Sequence, residues 1–332
     1  MDLSTSYLGL RLPTPLVVGA GPLSDELDRV RILEDFGAAL IVMRSLYEEE
    51  ITGEQMEAFF SAETYSDSFA EAENFAPEPE LALGPDEYLE HLRKIKSAVR
   101  IPVMASLNGC TPGGWTSFAR LIEQAGADAI ELHFFHAASD MTTSGADVER
   151  QFVEILTEVK RTIKIPVAVK LAPLFTAFAN FASRLDTAGA DGLVLFTRFS
   201  RADIDVKELE IVRSMPLSDS GDLLMRLRGA AALSGRIKAS IGITGGVHTG
   251  LDVIKATMCG AHATQMVSAL LRHGPSHLIR VRNEIESWMQ EHEWSSLDEM
   301  RGNMSFDRIP DPAAYERANF RMALRQNHVV DR

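Results

Sequence analysis

Three stretches of this chain carry residue types that do chemistry. Lys170 lies in the apolar run Val167-Ala-Val-Lys-Leu171, where an ammonium is costly unless a partner receives it. His133 and His136 stand three apart in Glu131-Leu-His-Phe-Phe-His136, and an imidazole with a pKa of about 6.5 is a capable proton acceptor. The third stretch is Ser240-Ile-Gly-Ile-Thr-Gly-Gly-Val-His-Thr-Gly250 followed by Gly260-Ala-His-Ala-Thr-Gln-Met-Val-Ser-Ala-Leu270. Each half reads as a strand ending in a small-residue turn that opens a helix. Two such turns aim bare N–H groups and positive helix ends at one spot, which makes a phosphate grip. Cys110, just after Asn108, is a second acid–base candidate. No HExxH or paired-cysteine spacing is present, so no metal site is expected.

The elements that position these residues repeat. Apolar runs at Pro15–Ala20, Ala39–Met43, Pro102–Leu107, Asp128–Phe134, Pro166–Leu171, Asp191–Phe196, Lys238–Ile243 and His262–Val267 alternate with helical patterns, giving eight βα pairs. Strands this continuously apolar belong to a parallel sheet buried on both faces. Gly37, Gly126, Gly189 and Gly260, each followed by Ala, precede four of the strands, as expected where a helix closes on a left-handed glycine. The pattern predicts an α/β fold, a (β/α)8 TIM barrel, with long insertions after strands 2 and 6 at Leu46–Gly84 and Arg198–Leu223. In such barrels the loops after strands 7 and 8 commonly hold a phosphate.

With 45% hydrophobic residues and no Pro/Gly/Ser-rich linker, residues 1–332 are expected to form one domain. The net charge of −14 argues against a nucleic-acid surface or an anionic membrane. Two cysteines, Cys110 and Cys259, make no disulfide framework. No apolar run is long enough to span a bilayer and no basic-then-apolar leader is present, so a soluble cytoplasmic protein is expected.

Beyond these local signals, the chain resembles a known family. The segments Leu8-Gly-Leu-Arg-Leu-Pro-Thr-Pro-Leu-Val-Val-Gly-Ala-Gly21, Val42-Met-Arg-Ser45, Gly126-Ala-Asp-Ala-Ile-Glu-Leu132, Pro166-Val-Ala-Val-Lys-Leu171 and Gly189-Ala-Asp-Gly192, with the paired glycine turns, look like flavin-dependent dihydroorotate dehydrogenase. Ala105-Ser-Leu-Asn108 and Trp115 are also similar to the pyrimidine-reducing domain of dihydropyrimidine dehydrogenase. The resemblance implies an FMN cofactor, a small-molecule pyrimidine-like substrate and a homodimer. It implies that Ala20 and Gly21 back the flavin, that Arg44 and Ser45 stand where the family has Lys-Ser beside the ring, and that Asn108 bonds the ring edge. Ser220-Gly221, Gly245-Gly246 and Val267-Ser268 match the segments that hold ribityl and phosphate. Lys170 falls beside N1 and the C2 carbonyl, where one ammonium at about 4 Å contributes roughly 4 kcal/mol to an anionic ring at a dielectric of 20.

The fourth strand departs from the pattern. Where the family has Glu-Leu-Asn-Leu-Ser-Cys-Pro-Asn, this chain reads Glu131-Leu-His-Phe-Phe-His-Ala-Ala138, so His133 replaces a holding asparagine and His136 replaces the base. The family's orotate clasp after strand 2 is missing; Leu46–Gly84 has eleven acids, no Lys or Arg, and six aromatics, and opposes an anionic substrate. Arg198 and Arg201 replace the family's Asn-Ser/Thr region after strand 6. The expected activity is hydride transfer between a small cyclic molecule and flavin, dihydroorotate being the named substrate and another cyclic C–C bond the alternative. A flavoprotein subunit that docks an electron-transfer protein through the acidic loop, and a flavin-free phosphate-binding barrel, are the other readings.

Overall fold

The structure is a computed structural model, and it describes residues 1–52, 84–111, 113, 115–136, 139–198, 203–212 and 215–325. Most of the acidic loop, and Arg201, lie outside the described residues. Eight parallel strands close into a barrel: β1 Leu16–Val18, β2 Leu40–Tyr47, β3 Val103–Asn108, β4 Ala129–Phe134, β5 Val167–Leu171, β6 Gly192–Leu195, β7 Ser240–Thr244 and β8 Ala263–Met266. Each strand pairs with its sequence neighbours and β8 returns to β1, so the expected TIM barrel is what forms.

The four Gly-Ala junctions behave as read. Gly37, Gly126, Gly189 and Gly260 have φ of 96, 97, 99 and 109°, the left-handed region that ends a helix. Two of them continue into aspartates that tie strand starts together. Asp128 Oδ2 accepts from Val103 N at 2.7 Å and Lys96 Nζ at 2.5 Å; Asp191 Oδ2 accepts from Val167 N at 2.7 Å and Lys160 Nζ at 2.6 Å. These bonds lie at the N-terminal ends of the strands, the end that serves stability in this fold, while sites occupy the opposite end.

The hairpin Thr5–Tyr7 and Leu10–Leu12 plugs that N-terminal end. Tyr7 and Leu12 are fully buried and pack with Val17, Val42, Met104, Ala129, Ala168, Val194 and Ala263 in the lower barrel interior. The two insertions contain structure of their own. After β2 comes the short helix Glu48–Thr52, and after β6 an exposed hairpin, Asp203–Asp205 with Glu210–Val212, then the turn Ser220–Asp222 and the helix Leu223–Leu233. Strand β2 runs on to Tyr47, so Leu46 and Tyr47 belong to the barrel rather than to the loop. Among the described residues no helix is long and apolar enough to cross a membrane.

Candidate functional site

Alternation along each strand carries the interior face from apolar to polar as it rises. Met104, Ala129, Ala168 and Ala263 lie low; two residues on are Ser106, Glu131, Lys170 and Gln265; two further are Asn108 and His133. Register sets these rows side by side, pairing Ser106 with Glu131, Asn108 with His133, and His133 with Lys170. The result is a polar layer across the C-terminal mouth.

Strand β2 joins that layer through an irregularity. Val42 pairs with Met104 but Ser45 pairs with Ser106, so β2 spends one extra residue between the two pairs. A β-bulge of this kind flips which side chains face inward. Ser45 therefore enters the layer, its Oγ 2.8 Å from Ser106 Oγ. Arg44 is left outside it, about half exposed, with its guanidinium bridged to both oxygens of Asp25.

Lys170 is only 7% exposed and Glu131 not at all. Lys170 Nζ lies 3.2 Å from Glu131 Oε1, Ser106 Oγ donates to the same oxygen at 3.2 Å, and Gln265 Nε2 donates to Oε2 at 2.9 Å. The lysine expected beside a flavin thus has its counterion within the barrel, and the bare-charge figure of the sequence reading is an upper bound. Asn108 Nδ2 lies 3.0 Å from His133 Nδ1. Burial, then the charge of Lys170, push the His133 pKa down to about 3. His133 Nε2 and Gln265 Oε1 are buried with no partner among the described residues.

His136 sits two residues beyond β4, half-buried. Cys110 is half-buried after β3. Its backbone N–H donates to Glu48 Oε2 at 2.8 Å, its carbonyl accepts from Gln151, and burial followed by Glu48 raises its thiol to about 11.

The loops after β6, β7 and β8 meet where the grip was expected. Gly245 and Gly246 have φ of 81 and 80°. A Cβ on Gly246 would lie 2.3 Å from Leu223 N, so the β7 turn rests directly on the backbone that starts the helix after β6. Glycine is required there by that contact rather than by room for a ligand. Gly21 at the end of β1 abuts Val267, whose Cγ1 is 3.1 Å from the place of a Cβ, and Ala20 packs on the inner barrel. Val267 caps the helix Ser268–His273. Ser220 Oγ donates to Asp252 Oδ2 at 2.7 Å, and Gly221 N to Asp219 Oδ1 at 2.8 Å.

Two residues absent from the sequence reading hold these loops together. Ser218 N donates to Ser268 Oγ at 3.1 Å, while Ser218 Oγ is 3.4 Å from Gly246 N and 3.1 Å from His248 Nε2. Arg226 is buried and donates to the carbonyls of Phe196 (3.0 Å), Thr244 and Asp222. It staples the ends of β6 and β7 to the intervening turn. The signal was there: Leu223, Arg226, Ala230 and Leu233 share the helix's buried face, where an arginine is out of place.

Comparison with known proteins agrees with this architecture. The family described as Dihydroorotate dehydrogenase matches residues 2–289. The chain belongs to the dihydroorotate dehydrogenase family. It is 26% identical over 306 residues to the dihydroorotate dehydrogenase B (NAD(+)) catalytic subunit of Thermoplasma acidophilum, covering 91% of this chain and 98% of that one. A protein of the same description from Methanothermobacter thermautotrophicus is 26% identical, with 90% and 97% covered. The NAD-dependent dihydropyrimidine dehydrogenase subunit PreA of Escherichia coli is 22% identical over 93% of this chain and 78% of its own length. Among the departures from the dihydroorotate dehydrogenase pattern, Arg44 lies within β2, His133 near the end of β4 and His136 two residues beyond it.

Proposed function

We propose that this chain is an FMN-dependent dehydrogenase acting on a CH–CH bond of a small, cyclic, pyrimidine-like molecule. The polar layer carries this reading: a nearly buried ammonium on Lys170, with a buried His133 nitrogen and a buried Gln265 oxygen beside it that have no partner among the described residues. A planar heterocycle bearing carbonyls and ring nitrogens satisfies such groups, which otherwise cost about 1–3 kcal/mol each. The donor set fits FMN. Lys170, Asn108, Ser45 and His133 would hold the ring. Ala20 and Gly21 would back it, and Ser220–Gly221, Gly245–Gly246 and Val267–Ser268 would hold ribityl and phosphate.

FMN, when bound, supplies the hydride acceptor or donor. The proton on carbon falls to the chain, and His136 is the side chain we assign to it. Cys110 suits the task less, because a thiol raised to about 11 is protonated at neutral pH. His133, neutral above about 3, positions rather than titrates. The test is anaerobic mixing of the purified protein with dihydroorotate and a panel of dihydropyrimidines while the flavin absorption is followed. Bleaching by one of them is expected; a colourless protein that refuses added FMN refutes the reading. Orotate itself should bind weakly, since the clasp for its ring amides and carboxylate is missing from the sequence.

A second reading is a flavoprotein subunit that passes electrons to a partner protein. Relatives named as a catalytic subunit and as subunit PreA favour it. Flavin that exchanges electrons with a carrier protein but with no dihydropyrimidine would select this reading.

A further inference from the structure

We infer that Glu131 is a positioning residue that sets the charge presented by the mouth to a bound ring; the inference rests on the placement of FMN beside Lys170. Glu131 is fully buried, one row below His133 on the same interior face. Among the described residues its carboxyl oxygens meet Lys170 Nζ and Ser106 Oγ at Oε1 and Gln265 Nε2 at Oε2. Lys170 Nζ can only donate, so the geometry seats Glu131 as the partner of that ammonium.

The support around it is rigid. Ser106 N donates to Tyr88 Oη at 3.0 Å, Tyr88 Oη donates back to Ser106 O at 3.3 Å, and Ser45 Oγ lies 2.8 Å from Ser106 Oγ. Ser106, Glu131, Lys170 and Gln265 come from β3, β4, β5 and β8, so the barrel itself fixes the carboxylate. Among the described residues Glu131 is the one anion in contact with Lys170.

A ring seated on Lys170 therefore meets an ammonium backed by an anion, a dipole rather than a bare cation. The sign of each perturbation follows. Removing the carboxylate leaves the cation unopposed and favours the anionic, reduced ring. Removing the ammonium leaves a buried carboxylate beneath the ring and disfavours the reduced form by more than the lost cation alone. Removing both brings the potential between those two extremes.

The experiment measures the midpoint potential of FMN-loaded wild type, Glu131→Gln, Lys170→Met and the double variant by anaerobic dye equilibration. Glu131→Gln is expected to favour reduced over oxidised flavin about tenfold more than wild type, about 30 mV upward for a two-electron couple. Lys170→Met should fall below wild type, with the double variant between the singles. Flavin bound normally to Glu131→Gln at an unchanged or lower potential overturns the inference while leaving the FMN reading intact. A wild-type protein that binds no FMN overturns both. Urea unfolding of the flavin-free proteins gives an independent readout, in which the double variant loses less stability than the two singles summed; strict additivity counts against a coupled pair. Should Glu131→Gln fail to fold, Ser106→Ala strips one donor from the carboxylate and is expected to lower the potential. No change there overturns the inference as well.

Discussion

The side-chain amide of Asn108, 3.0 Å from His133 Nδ1, decides what the other nitrogen of that imidazole does. With the amide nitrogen facing Nδ1, Nδ1 accepts, and the single proton of the neutral ring sits on Nε2. That N–H is buried and has no partner among the described residues. It is a donor awaiting an acceptor, so where the family pattern has an asparagine amide this chain presents one N–H of fixed direction.

His133 is accordingly expected to keep one tautomer, protonated on Nε2, between about pH 5 and 8 in nitrogen-15 spectra of the protein. His133→Leu should weaken FMN about 5- to 150-fold, the value of roughly 1–3 kcal/mol for a buried polar bond. A charged His133 near pH 6, or undiminished FMN affinity in the variant, contradicts this.

The same burial is expected to make stability fall in acid. His133 and His262 have pKa values pushed down to about 3 and about 4, in both cases chiefly by burial. Unfolded histidine takes up its proton near 6.5, so below that pH the unfolded state binds more protons and stability falls as pH falls. Unfolding midpoints should be flat in these two groups above about pH 7 and drop between pH 6.5 and 4, by at most about 1.4 kcal/mol per pH unit for each histidine. Replacing His262 with an apolar residue should flatten part of that slope.

Gly246→Ala tests the contact between the β7 turn and Leu223. A methyl 2.3 Å from a backbone nitrogen, at a φ of 80°, forces the two loops apart. Stability should fall by about 1–3 kcal/mol. FMN affinity should fall more than tenfold, whereas riboflavin, lacking phosphate, should lose less. Equal losses for both ligands would place the phosphate elsewhere.

Arg226 supplies the counterpart from the helix side. Arg226→Met withdraws a buried guanidinium from the carbonyls of Phe196, Thr244 and Asp222 at once, and stability should fall by about 1–3 kcal/mol. Arg226→Lys should not restore stability, because a single ammonium cannot span three carbonyls that a planar guanidinium reaches together. Full rescue by lysine, measured in urea unfolding, would show that charge alone matters.

For the proton on carbon, His136→Ala should lower the rate of flavin reduction by the true substrate about 10²–10⁴-fold with FMN still bound. Cys110→Ser should change it little. The reverse pattern moves the base to Cys110.

The barrel was readable along the chain because its signals are local. Apolar runs, helical periods and the left-handed glycines at 37, 126, 189 and 260 each act within a few residues, and the strands formed where they pointed. Lys170 and the glycine turns were legible for the same reason. Even Glu131 had a trace, since it shares the interior-facing parity of Ala129 and His133. What it touches did not: Gln265 lies 134 residues away and Ser106 25 away, and no periodicity links them. One extra residue in β2 exchanged Arg44 for Ser45 at the mouth, a change of parity that only pairing with β3 defines. Ser218 and Arg226 became structural hubs because three separate loops converge on them. Local sequence determined which elements form and what chemistry they carry; closure of the barrel decided which of those groups meet, because hydrogen bonds and buried charges depend on through-space distance and not on position along the chain.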